Sequence, residues 1–404
     1  LLATTHVHDR RRKQVGGKSA ASRTAGADRG TREEVTADIR PAGAGRTGTE
    51  AFVADCGQNA LFSSASFGFL LAMSEIKTSQ PTRRIRGVLA PAVTPFKADL
   101  SPDGKRFVRH CQWLLSQNCG LAVFGTNSEA NSMSAEERMT LLDALVTAGI
   151  DPSRMMPGTG CCSITETVGL TAHAVKHGCA GVLMLPPFYY KSVGEEGLYR
   201  YFSEVVQRVG DTRLRIYLYH IPPIAIVGIT PKLVERLLKT YPNAIAGMKD
   251  SSGDWNNTKT FLDAFSGRGR EGEPATARAC TFDVFVGSES FLLANMRNGG
   301  AGTISATANV NPAAIHKLYT QWKTAHDPDQ QQSKLDLVRE VFSSRKFPSM
   351  IAALKQALAI YSNDQDWARV RPPLVELTTD EAKLLAGKLK AIDFAMPGIG
   401  TKPL

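Results

Sequence analysis

The sequence predicts an α/β fold: a (β/α)8 TIM barrel with a C-terminal helical extension. From Arg86 onward, eight short apolar, β-branched runs recur, and most are followed by a longer stretch of helical period. The runs are apolar throughout, as strands of a parallel sheet covered on the outside must be. A doubly wound open sheet also alternates strand and helix, but eight is the number of units that closes a barrel.

In chain order the runs are Gly87–Pro95, Gly120–Thr126, Met155–Gly160, Gly181–Pro187, Arg215–Pro222, Ala244–Asp250, Phe282–Glu289 and Gly302–Asn309. Ser134–Ala148 reads as a helix because Ser134 followed at the third place by Glu137 is a capping box. Ile164–His177 reads likewise, capped by Ser163 and closed by Gly178. After Asn309 the chain turns to helices without strands: Pro312–Ala325, Ser333–Ser343, Ser349–Tyr361 and Thr379–Ile392. The division expected is an extension over residues 1–82, a barrel over 83–310 and a helical region over 311–404. Residues 266–279 are polar and rich in Gly and Arg, which suits a surface loop.

The extension lacks the period of either a strand or a helix. It is read as non-native or unstructured, with the natural start at Met73. Asp9, Asp28, Glu33, Glu34 and Asp38 count against a transit peptide.

Composition narrows the class. With 404 residues, 43% of them hydrophobic, the chain is long enough to bury a large core. Seven cysteines, an odd number that includes the pair Cys161-Cys162, fit a reducing cytoplasm better than a disulfide framework. No apolar run reaches the roughly 18–20 residues of a membrane span, so no membrane partner is expected. The net charge of +10 would suggest nucleic acid only if clustered, yet ten Lys/Arg and seven Asp/Glu precede Met73 and the rest is spread along the body. No nucleic-acid partner is expected.

In a parallel barrel the active site lies at the carboxyl ends of the strands, so the residues ending each run matter most. The second run ends in Gly125-Thr126-Asn127-Ser128-Glu129, a turn that offers N–H groups and a hydroxyl to a small carboxylate. The fourth runs into Phe188-Tyr189-Tyr190, the fifth ends in Tyr219-His220, and the sixth ends in Lys249-Asp250. A lysine at the end of an apolar run is withdrawn from water, which disfavours its charged form, and the neutral amine condenses with ketones. It could equally be a structural lysine paired with Asp250. Tyr219, one strand earlier, is placed to move a proton or to be a core aromatic. Metal and phosphate sites are not expected: the eight histidines are read as scattered, without an HxxxH pair, and no P-loop or acidic loop of Ca2+ or Mg2+ spacing is found. Gly158-Thr159-Gly160 lacks the third glycine of a dinucleotide turn.

From Gly87 to Ile392 these residues resemble the dihydrodipicolinate synthase and N-acetylneuraminate lyase family of pyruvate-handling class I aldolases. The resemblance implies that Lys249, in Gly-Met-Lys-Asp-Ser-Ser-Gly, is the Schiff-base lysine. It implies that Tyr219, in Tyr-His-Ile-Pro, relays protons with Thr126 and that Asn127 helps to bind the substrate carboxylate. Tyr189, with Tyr190 as the alternative, would be the tyrosine supplied across a subunit interface. The strand-eight signature around Ile304 and the seventh-strand Gly287-Ser288-Glu289 would border the substrate, as would His220. No cofactor is implied. The partners implied are a small 2-oxo acid and further copies of the chain in a homotetramer, in the cytoplasm.

Two departures from the family pattern stand out. Asn127 and Ser128 replace Thr and Gly in the turn, and Ile224 stands where synthases using aspartate semialdehyde have an arginine. Losing that guanidinium removes a bidentate clamp for a carboxylate. The expected activity is therefore a Schiff-base lyase of this family on pyruvate or a related 2-oxo acid. The alternatives are a 2-keto-3-deoxy sugar acid dehydratase, a 4-hydroxy-2-oxoglutarate aldolase, or a protein that binds a 2-oxo acid without turnover.

Overall fold

Residues 84–265 and 282–400 are described in the structure, a computed structural model. The expected extension, Met73 and the loop 266–279 lie outside them. Seven strands form one sheet: β1 (Gly87–Ala90), β2 (Gly120–Leu121), β3 (Val182–Met184), β4 (Ile216–His220), β5 (Ile245–Asp250), β6 (Asp283–Val286) and β7 (Gly302–Ile304). Their order is β2-β1-β7-β6-β5-β4-β3, and every pairing is parallel.

The predicted third run closes this sheet into a ring without becoming a regular strand. Met155 bridges Leu121 of β2 and Gly158 bridges Leu183 of β3, both in parallel sense. The Met156 N–H donates to the Leu121 carbonyl (2.8 Å), and the Leu183 N–H donates to the Pro157 carbonyl (2.8 Å). Pro157 has no N–H of its own, so the ladder cannot run through it. The glycines beside it answer a steric need. A Cβ on Gly158 would stand 2.1 Å from the Phe124 carbonyl oxygen, and one on Gly160 would stand 2.2 Å from the Leu185 nitrogen.

Helices cover the ring: α1 (Gly104–Ser116), α2 (Ala135–Thr147), α3 (Ile164–Lys176), α4 (Glu195–Val209), the short α5 (Pro222–Ala225), α6 (Pro231–Thr240), α7 (Trp255–Phe265), α8 (Leu292–Arg297) and α9 (Pro312–Gln321). Both halves of the Ser134–Glu137 capping box form, and Ser163 caps α3. Then come α10 (Pro328–Phe342), α11 (Met350–Ser362) and α12 (Thr379–Ala391). α10 begins earlier than the predicted Ser333 because Asp327 caps it, accepting from the Gln330 N–H, and Pro328 occupies its first turn.

Strand alternation divides the apolar residues into two layers. Leu89, Leu183, Tyr217, Phe285 and Ile304 fill the inside of the ring. Val88, Val182, Ile216, Leu218, Met248 and Val284 face the helices. β5 carries one irregularity that decides the site. Ile216 pairs with Ile245 but Tyr217 pairs with Gly247, which leaves Ala246 as an extra residue. Strict alternation from the outward Ile245 would turn Lys249 outward as well; the bulge reverses the phase and sends it inward.

Candidate active site

At the carboxyl ends of the strands a cavity of about 340 Å³ opens, lined by Thr126, Asn127, Tyr219, Lys249, Gly287 and Ser288 among others. Its outer wall comes from Ile224 and from the C-terminal helices, through Arg339 of α10 and the Ser349–Ile351 segment that opens α11. Thr126 and Asn127 sit on the short helical turn Thr126–Ser128 that follows β2.

Lys249 and Tyr219 are register partners on β5 and β4. The lysine Nζ donates to the Tyr219 hydroxyl at 3.2 Å and lies 4.3 Å from the centre of its ring. The same hydroxyl is 3.2 Å from Thr126 Oγ1, so amine, phenol and alcohol form one chain of polar groups. Both Lys249 and Tyr219 are 2% exposed. The structure decides against the pairing of Lys249 with Asp250. Asp250 points outward, where it accepts from the Ser252 N–H (2.9 Å), Asn257 Nδ2 (3.1 Å) and the Thr258 hydroxyl (2.5 Å). No carboxylate among the described residues forms an ion pair with Lys249.

Four expected site residues lie elsewhere. His220 follows Tyr219, so alternation turns it out of the ring; its Nδ1 accepts from the Ile229 N–H at 2.9 Å and its ring lies against Phe261. Burial holds its pKa below the usual histidine range against the pull of Asp250, and it stands apart from the cavity lining. Ile304 is fully buried in the inner layer. Tyr189 and Tyr190 are each 73% exposed and pack edge to face with each other, outside this cavity. The expectation of no HxxxH pair is also corrected: His173 in the last turn of α3 and His177, which caps it, are such a pair.

Arg339 and Lys355 were not legible in the sequence, whereas the carboxylates they pair with, Glu289 and Glu129, end the seventh run and the Thr126 turn. Arg339 donates to Glu289 Oε2 at 3.0 Å, and Glu289, 1% exposed, also accepts from the Ser305 and Thr307 hydroxyls. Glu129, at the end of the Thr126 turn, adopts φ 57 and forms a fully buried pair with Lys355 of α11 at 2.5 Å. Lys355 and Arg339 have no motif around them. They meet the site only because the C-terminal helices return to the mouth of the barrel.

A buried amine that bonds to a phenol and has no carboxylate partner is equipped to condense with a carbonyl, and with this barrel it defines a Schiff-base-forming lyase. Comparison with known proteins then places the chain. The model of the Dihydrodipicolinate synthetase family matches residues 84–392. An uncharacterized DapA-like lyase of Chloroflexus aurantiacus is 28% identical over 309 residues, covering 76% of this chain and 97% of the relative. The 4-hydroxy-tetrahydrodipicolinate synthase of Thermus thermophilus is 36% identical over 236 residues, covering 58% of this chain and 72% of the relative. Among solved structures, the dihydrodipicolinate synthase of Agrobacterium tumefaciens superposes with a TM-score of 0.66 at 31% identity, covering 76% of this chain and 99% of that one. The chain belongs to the dihydrodipicolinate synthetase family.

Proposed function

We propose that Lys249 attacks the keto carbon of pyruvate or a related 2-oxo acid, and that the turn at Thr126 and Asn127 receives its carboxylate. Addition and loss of water give a protonated imine. When the bond between the third and fourth carbons breaks, its electron pair enters the imine as an enamine, and Tyr219 takes the proton from the departing hydroxyl. Condensation runs the same steps in reverse. Thr126 Oγ1, 3.2 Å from the phenol, passes the proton on. The single observation that carries this reading is the Lys249–Tyr219 contact of 3.2 Å inside a cavity.

The second substrate follows from the outer wall. Ile224 supplies no charge there, whereas Arg339 lines the cavity and, among the described residues, its guanidinium bonds to protein through one terminal nitrogen. The missing charge at Ile224 favours cleavage of a 4-hydroxy-2-oxo acid, such as 4-hydroxy-2-oxoglutarate, over the aspartate semialdehyde reaction, and Arg339 is the cation within reach of its distal carboxylate. Dehydration of a 2-keto-3-deoxy sugar acid would use the same lysine. Exposure of Tyr189 and Tyr190 supports a role at a contact between copies in a homotetramer. No helix among the described residues is long and apolar enough to cross a membrane; a cytoplasmic location rests on cysteine usage.

Incubation with pyruvate and borohydride, followed by mass spectrometry, tests the chemistry. A pyruvyl adduct on Lys249 is expected, and its absence would reduce the protein to a binder of 2-oxo acids. Product analysis with 4-hydroxy-2-oxoglutarate, 2-keto-3-deoxy sugar acids and aspartate semialdehyde then separates the branches. Efficient turnover of the semialdehyde would overturn the argument from Ile224 and Arg339.

A further inference from the structure

Away from the cavity, α2 and α3 bring together three side chains that the proposed reaction does not use. His173 and His177 stand one turn apart at the end of α3, and Asp143 of α2 faces them. His173 Nε2 lies 2.8 Å, and His177 Nε2 2.7 Å, from the same atom, Asp143 Oδ1. The three atoms lie within 4.8 Å of one another. The two rings stand edge to face, with centroids 4.7 Å and planes 80° apart, so their nitrogens converge on one point.

Hydrogen bonding leaves this arrangement incomplete. His177 Nε2 makes a hydrogen bond to Oδ1. His173 Nε2 is buried as an atom and makes none with the described residues, although the same oxygen is only 2.8 Å away, because the direction is wrong. A cation between the three atoms resolves the conflict: each neutral ring offers a lone pair, and the carboxylate offers charge. Two imidazoles and one carboxylate suit a borderline dication of the zinc class. Zinc bonds of about 2.0–2.1 Å would set tetrahedral ligand atoms about 3.3 Å apart. A small opening of the present cluster provides that spacing. The Asp143 side chain is 50% exposed, which leaves room for water as fourth ligand. The cluster lies near the carboxyl ends of α2 and α3, where the helix dipoles favour positive charge.

We infer that Asp143, His173 and His177 form a zinc-class cation site that clamps α2 to α3. In the barrel the helices run back against the strands, so this end of the helices is the face opposite the catalytic mouth. The clamp therefore acts on stability, separately from the lyase reaction.

The test uses the full chain freed of metal, with zinc alone as probe and a chelating indicator as competitor. Because His6 and His8 could also bind zinc, wild type is compared with His173→Ala, His177→Ala and Asp143→Asn. Wild type should bind one more zinc ion than each variant at micromolar zinc, or hold it at least tenfold tighter, since loss of even an outer partner costs roughly 10–100-fold. Zinc should raise the melting temperature of wild type and not of the variants. Asp143→Asn keeps the shape of the side chain, and melting without zinc shows that each variant is folded. Equal zinc stoichiometry and affinity in all four proteins overturns the site, as does binding by wild type only at millimolar zinc. Neither readout depends on activity, so failure here leaves the lyase reading standing.

Discussion

Tyr219 and Lys249 occupy matched positions on neighbouring strands, with the amine 3.2 Å from the phenol oxygen and both side chains turned into the ring. One residue can therefore form the imine while the other manages the proton. Tyr219→Phe should lower kcat by roughly 10²–10⁴, the usual worth of a positioned acid or base. It should still give the borohydride adduct on Lys249. Lys249→Ala should lose both, and an adduct that survives it would move the nucleophile elsewhere.

Thr126 shares a hydrogen bond with that phenol, and its hydroxyl is what matters in the relay. Thr126→Val should lower kcat well below that of Thr126→Ser, at similar KM. Steady-state kinetics on the three proteins would expose a purely steric role, in which valine performs as well as threonine.

The buried Glu129–Lys355 pair ties the Thr126 turn to α11. Burial lowers the Lys355 pKa to about 8 against the pull of Glu129. Lys355→Met would leave the Glu129 carboxylate buried without its counter-charge, held among the described residues only by the Arg371 N–H (2.9 Å), at a cost of about 3–5 kcal/mol. The double variant Glu129→Gln/Lys355→Met should recover part of this in urea unfolding. A Lys355→Met variant as stable as wild type would show that the pair is dispensable.

His110 is buried, and its Nε2 lies 3.1 Å from Asn309 Oδ1. Desolvation lowers its pKa from 6.5 to about 4, so between those values the unfolded chain binds the extra proton and the folded one does not. This group contributes stability that is whole above about 6.5 and is lost as pH falls towards about 4. His110→Gln should melt with a shallower loss between pH 7 and pH 4.5 than wild type, and a parallel loss would refute the assignment.

Gly158→Ala would place a methyl 2.1 Å from the Phe124 carbonyl, against backbone that cannot move aside cheaply. Overpacking of this kind costs about 1–3 kcal/mol or more. Thermal melting should show the loss, whereas alanine at Gly149, which has open space around it but φ of +78, should cost only its backbone strain.

The barrel architecture and the polar strand ends were legible along the chain, because both follow from local pattern. Apolar runs at regular intervals, capping residues such as Ser134 and Ser163, and the motif around Lys249 need no distant contact to be legible. The outward turn of His220 was also available from alternation once Tyr219 was placed inside. The direction of Lys249 was not legible that way, since the bulge at Ala246 arises from register with β4 and reverses the phase that strict alternation predicts. Nor did local pattern show that Arg339 reaches the cavity from α10, that Lys355 of α11 braces the Thr126 turn through Glu129, or that Asp143 meets the histidines at the end of α3. Such contacts join residues far apart in the chain, and packing of whole elements, rather than local pattern, brings them together.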